Sequence, residues 1–99
     1  MNYKTFLFNL RNKINFIDRF LIIFLIKRRF LVSNIAWIKL KNNIPIRDRK
    51  YEKHLIQDLV IFGKKLGMNK KYITNIFSII IEDSIFVQKN IKKKFFYNK

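Results

Sequence analysis

The sequence predicts an all-α chain of three helices, one of them very long and covered by a second copy of the chain. Three observations carry this. The stretch from Thr5 to Lys41 contains neither Pro nor Gly; the first Pro is Pro45 and the first Gly is Gly63. Within it Leu10, Ile14, Ile17, Leu21, Phe24, Arg28, Leu31, Ile35 and Ile38 recur at alternating steps of four and three. That is the heptad spacing that keeps one stripe of a helix against a partner helix. Finally, the Ile-rich runs keep helical periods, and no strand pattern with hairpin signals interrupts them.

A helix of about 36 residues is roughly 54 Å long at 1.5 Å per residue. A compact globule of about 100 residues has a radius of gyration near 13 Å. The first helix therefore outruns the cover its own chain can give, and a second copy is expected to supply it. Arg28 interrupts the apolar stripe, and a charge there needs an anion or a paired acid, because burying it alone is costly.

The elements follow in order. Residues 1–4 read as a frayed end, with Thr5 as N-cap of helix one. Asn42, Asn43 and Ile44 before Pro45 end that helix, since the residue before proline avoids helical geometry. Asp48 is the expected N-cap of helix two, which carries Leu55, Ile56, Leu59, Val60 and Phe62 on its apolar side. Helix two ends between Gly63 and Gly67, with Lys64 and Lys65 placed well in its last turn. Asn69 is the expected N-cap of helix three, whose buried face is Ile73, Ile76, Phe77, Ile80, Ile81 and Ile85. The tail from Lys92 to Lys99 is basic and aromatic and is expected to fray. One domain, 1–99, with a core of about 6–90, accounts for the whole pattern.

Composition narrows the function. The chain has 99 residues, no Cys, one His, six acids and a net charge of +16. Disulfides and thiolate metal sites are excluded, and neither a metal nor a cofactor is expected. Such a charge ordinarily points to nucleic acid or an anionic membrane. Here Lys, Ile, Asn and Phe are all overused, which reads as codon drift across a genome, and many lysines then become solvated faces. Nucleic acid is accordingly not the expected partner. The apolar run from Phe20 to Ile26 falls far short of the roughly 20 residues a membrane span needs. Basic residues follow it with no small-residue cleavage site, so no signal peptide is read. The expected location is the cytoplasm.

The candidate chemistry begins on helix one. Arg28 and Lys39 stand three turns apart on nearly one face, about 16 Å along the axis, where two long side chains can converge on one small ligand. Arg11 lies about 25 Å from Arg28 and is rotated roughly 100° away. It cannot join that ligand from its own helix, but in an antiparallel pair it could reach the partner's. For Arg11 and Lys39 alone a plain surface charge is the simpler account; for Arg28, inside the stripe, it is weaker. On helix three, Phe77, Ile81, Ser84 and Gln88 form one stripe whose last members are polar, read equally as a satisfied interior hydrogen bond or as a site. Asp48 and Glu52 lie one turn apart at the start of helix two, where acids also simply favour the helix dipole. His54 and Trp37 read as surface and packing residues. No phosphate loop or nucleophile elbow occurs.

In order, these residues are Leu10-Arg11, Ile14, Ile17-Asp18, Arg28-Arg29, Lys39, Pro45-Ile46-Arg47-Asp48, Glu52, Tyr72-Ile73, Phe77, Ile80-Ile81-Glu82-Asp83-Ser84 and Gln88. Together they resemble the all-α chorismate mutase family. The likeness is greatest to the domain at the N-terminus of bifunctional chorismate mutase–prephenate dehydratases, and it covers about residues 6–90. The run Ile79 to Ser84, at its distance from Lys39 and Asp48, is its most specific part. The resemblance implies an intertwined homodimer with two equivalent sites. Each would take Arg28, Lys39, Asp48, Glu52, Ser84 and Gln88 from one chain and Arg11 from the other. It implies an isomerase that rearranges chorismate to prephenate on the way to phenylalanine and tyrosine.

The residue types suit that chemistry. Chorismate is a dianion and its rearrangement is unimolecular and pericyclic, needing no proton transfer, nucleophile, metal or cofactor. Arg11 and Arg28 would grip two carboxylates bidentately and hold the reactive chair. Lys39 and Gln88 would donate to the ether oxygen as charge gathers there. Glu52, with the Asp48 backbone, would take the ring hydroxyl, and Ser84 a carboxylate. One departure stands out: the family's Asp-x-x-Arg-Glu is here Asp48-Arg49-Lys50-Tyr51-Glu52, so Tyr51 replaces a cation. Arg47, Arg49 or Lys50 could supply the field from a neighbouring position, but helical spacing does not let Arg49 or Lys50 simply take its place. With the chain ending at Lys99, neither a dehydratase nor a phenylalanine-sensing domain is expected to follow. Two other readings stand beside this one: a degenerate mutase kept as an interaction or folding unit, and a basic helical dimer that binds nucleic acid.

Overall fold

The computed structural model describes residues 2–97; Met1, Asn98 and Lys99 lie outside the described residues. Three helices, α1 (Tyr3–Lys41), α2 (Arg49–Lys65) and α3 (Lys70–Tyr97), make up the fold, with no strand among the described residues. The chain divides between Leu31 and Val32 into two compact units, so α1 contributes to both.

The first unit is the N-terminal part of α1. The helix starts earlier than the sequence predicts, because Asn2 rather than Thr5 serves its first turn: Asn2 Oδ1 accepts from the Thr5 backbone N–H at 3.2 Å. Asn carries the same capping chemistry three residues sooner. Along this unit Leu10, Ile14, Ile17, Leu21 and Phe24 are exposed, and Arg28 is half-buried. Phe16 and Phe20 meet edge to face, their ring centres 5.2 Å apart.

The second unit holds the end of α1 with α2 and α3. Val32 and Ala36 are the buried residues of α1. The helix is closed at Asn43, which adopts the left-handed φ of 55°. Ile44 N–H then reaches back to Lys39 O at 2.8 Å. Asn is among the few side chains that tolerate this conformation, so it terminates the helix before Pro45 is reached.

Asp48 caps α2, its side chain accepting from Tyr51 N–H at 3.0 Å. Gly67, at φ 86°, lets the α2 terminus close on itself. Its N–H bonds Lys64 O at 3.0 Å while Met68 N–H bonds Gly63 O at 2.8 Å, the paired pattern of a Schellman stop. Asn69 caps α3 through Lys71 N–H at 2.7 Å and Tyr72 N–H at 3.2 Å. Gly63 permits the close approach of α2 and α3: a Cβ there would stand 1.9 Å from Ile73 Cδ1.

The core of this unit is Val32, Ala36, Val60, Ile73, Ile81 and Ile85. Two expectations are corrected. Phe62 is exposed rather than part of the α2 apolar face. Residues 92–97 do not fray but continue α3 to Tyr97. Phe95 packs edge to face on Trp37, ring centres 5.8 Å apart, which gives the last turns a tertiary anchor.

Candidate active site

The sequence-predicted residues divide between the two units. Arg11 and Arg28 lie in the first, on α1, Arg11 exposed and Arg28 half-buried. Lys39, Asp48, Glu52, Ser84 and Gln88 lie in the second.

Lys39 is half-buried in the last turn of α1. Its ammonium donates to Ile46 O at 2.6 Å, which ties the helix to the connection before α2. An ammonium has three donors, so two N–H groups remain beyond this bond. The carboxylate of Asp48 is occupied as the α2 cap, with one oxygen on Tyr51 N–H. Glu52, one turn on, is more enclosed, its side chain 13 % exposed.

The polar end of the α3 stripe is buried. Ser84 is 7 % exposed and Gln88 5 %, in continuity with Ile81 and Ile85. Ser84 Oγ donates to Ile80 O at 3.1 Å. Gln88 Nε2 donates to Ser84 O at 3.3 Å, a long bond that uses one of its two hydrogens. Gln88 Oε1 is buried with no hydrogen-bond partner among the described residues. Leaving such a group unpaired costs about 1–3 kcal/mol. Interior stripes of purely structural purpose end in an apolar side chain more cheaply than in this one.

A cluster of Arg47, Glu52 and Glu82 joins α2 to α3, and its link from Arg47 to Glu82 is not foreseen from the sequence. Arg47, in the connection, donates through Nη2 to Glu52 Oε1 at 2.9 Å. Through Nη1 it donates to Glu82 Oε2 at 3.1 Å, and through Nη2 to Glu82 Oε1 as well. The Arg47 hydrogen bond holds the Glu82 carboxyl below the usual carboxylate range, with further help from the charge of Arg47 and of nearby Arg49 and Lys89. The same hydrogen bond pushes the Arg47 guanidinium further above its ordinary value. Glu52 Oε2 and Arg47 Nε are buried without hydrogen-bond partners among the described residues. The signal in the sequence was the scarcity of acids: with only six in the chain, two on one arginine are conspicuous.

His54 is exposed, and Trp37 serves packing against Phe95. Among the described residues no group of three or more His, Cys, Asp or Glu could hold a metal ion. No helix there is long and apolar enough to cross a membrane.

Lys39, Glu52 and Gln88 thus stand on three separate helices of the second unit. Residues 10–89 match the family described as chorismate mutase type II, and the chain belongs to that family. It is 48 % identical over 99 residues to the bifunctional chorismate mutase/prephenate dehydratase of Buchnera aphidicola subsp. Baizongia pistaciae, covering 100 % of this chain and 27 % of that protein. The enzyme of the same description from Buchnera aphidicola subsp. Schizaphis graminum is 46 % identical over 95 residues, 96 % of this chain and 25 % of the relative. That of Escherichia coli strain K12 is 38 % identical over 79 residues, 80 % of this chain and 20 % of the relative. The chain spans about a quarter of the length of the curated relatives it matches.

Proposed function

We propose that this chain is a chorismate mutase, an isomerase that rearranges chorismate to prephenate in the cytoplasm for phenylalanine and tyrosine synthesis. Residues 1–99 form one mutase domain that works in an intertwined homodimer with two equivalent sites. The observation that carries this reading is the buried polar end of the α3 stripe, Ser84 and Gln88, whose amide commits one N–H to Ser84 O, in a chain of this family.

The mechanism asks for restraint and electrostatics only. Arg28 of one protomer and Arg11 of the other clamp the two carboxylates and hold the enolpyruvyl arm over the ring, removing rotational freedom before reaction. As the C–O bond breaks, negative charge gathers on the ether oxygen. Lys39 donates to it with an N–H not used on Ile46, and Gln88 with the N–H not used on Ser84. Glu52 accepts from the ring hydroxyl beside the Asp48 backbone, and Ser84 supports a carboxylate.

The direct test is the loss of chorismate absorbance on adding purified protein; an unchanged spectrum at micromolar protein overturns the assignment. Exchange between Arg11→Ala and Arg28→Ala chains is expected to restore activity, because one site of the heterodimer keeps both arginines. A second test concerns Gln88. In Gln88→Glu the side chain can donate only when protonated, so activity is expected to survive at acidic pH and fall as the carboxyl ionises. A flat pH–rate profile removes Gln88 from the ether oxygen.

A further inference from the structure

We infer that Arg47, braced by Glu82, is the positioning residue that aims Glu52 at the substrate's ring hydroxyl. This rests on the proposed mutase reading and adds to it two residues that the resemblance did not assign. The geometry is a fork shared between two helices. Arg47 holds Glu52 Oε1 at 2.9 Å, and its guanidinium is gripped by both oxygens of Glu82 from α3. A guanidinium is planar and rigid, so fixing it from one side fixes the direction of the bond it makes on the other.

Glu52 then has one oxygen committed to Arg47 and one, Oε2, buried with no partner among the described residues. That second oxygen is the acceptor a hydroxyl requires. Tyr51, where the resembling family carries a cation, is 63 % exposed and lends only its backbone N–H to the Asp48 cap. Arg47 thereby supplies from the connection the positive charge beside Glu52 that position 51 lacks.

A plain strut between α2 and α3 would use the same contacts, so the test must read something a strut does not move. The probe is a non-reactive bicyclic dicarboxylate shaped like the rearranging substrate, made with and without the ring hydroxyl. Binding of both is measured by calorimetry to the native chain, Arg47→Lys and Glu82→Gln. The native chain is expected to prefer the hydroxylated probe. Arg47→Lys should reduce that preference roughly ten- to a hundredfold, the range of a hydrogen bond to a charged group, while affinity for the deoxy probe stays within about twofold. Glu82→Gln, a change at an exposed side chain that leaves the backbone alone, should reduce it in the same direction by less.

Equal weakening of both probes makes Arg47 a strut and overturns the inference. So does an unchanged preference in both variants, or a native chain that binds the probes alike or not at all. Preference for the hydroxyl that depends on Arg47, in a native chain inert towards chorismate, overturns the proposed reaction and supports this inference. Turnover of chorismate with an unmoved preference does the reverse.

Discussion

The N-terminal part of α1 and the middle of α3 carry the same kind of apolar stripe and meet opposite fates. Leu10 and Ile14 on α1 are each 55 % exposed, whereas Ile81 on α3 is 6 % exposed. Both stripes repeat at steps of three and four. Periodicity therefore announces that a face needs cover, and does not say whether the cover lies in the same chain. The α3 face finds it within its own unit, where Gly63 lets α2 come close to Ile73. The stripe of α1 remains open in the single chain. The two faces also end differently. The α3 stripe runs into the buried polar pair Ser84 and Gln88, and the α1 stripe contains the half-buried Arg28.

The sharpest way to break this contrast is a charge in the exposed stripe. Ile17→Asp replaces a side chain that is solvent-exposed in the single chain. If the stripe were a solvent face, the change would fall within about 0.5 kcal/mol. With a second copy covering it, each dimer must bury two unpaired carboxylates, a cost on the order of several kcal/mol. The expected outcome in sedimentation equilibrium is loss of the dimer at micromolar protein, together with loss of mutase activity. A native chain that sediments as a folded monomer, or a variant that still dimerises normally, removes the second copy from the stripe.

The matching substitution on the covered face acts on folding. Ile81→Ala deletes a buried branched side chain, and such deletions cost about 2–5 kcal/mol. Urea unfolding should show a lower midpoint with an unchanged slope, because the surface exposed on unfolding hardly changes. A shift below about 1 kcal/mol would mean that the α2–α3 core collapses around the gap.

The third contrast separates chemistry from assembly. Lys39→Ala should leave the dimer intact and lower kcat roughly a hundred- to a thousandfold, equivalent to about 2.7–4 kcal/mol for one preorganised donor. A change confined to KM would assign Lys39 to holding a carboxylate instead.

How much of this was legible in the sequence follows from the range of each interaction. The caps at Asp48 and Asn69 were legible because capping is local: a side-chain oxygen meets an N–H two or three residues away. The α3 face was legible because its helical period is regular. The start of α1 was misplaced because Asn2 and Thr5 both carry capping groups, and spacing alone does not rank them. The helical end of α3 was missed because its anchor is Trp37 on another helix, beyond the reach of local composition. Among the site residues, Ser84 and Gln88 stood out as polar members of an apolar stripe. Arg47 stood out only as a neighbouring charge, since its partner Glu82 is 35 positions away and no periodicity links a connection to a helix.

That long-range pair gives the smallest expected effect. The Glu82 carboxyl is held below its ordinary value by the hydrogen bond from Arg47 first, and by the charges of Arg47, Arg49 and Lys89 after it. A carboxylate with a depressed folded-state pKa binds its proton more readily in the unfolded chain. Its contribution to stability is therefore full above the ordinary carboxylate range and is lost as pH falls through the folded value. Glu82 is exposed, so solvent and salt screen the pair and the contribution is small. Chemical denaturation of the native chain and of Glu82→Gln across pH should show the native chain ahead at neutral pH. The two curves should converge in acid, and added salt should narrow the gap. A gap that persists below the carboxylate range would mean that Glu82 contributes through packing, and the charge on Arg47 would then have no part in holding α2 to α3.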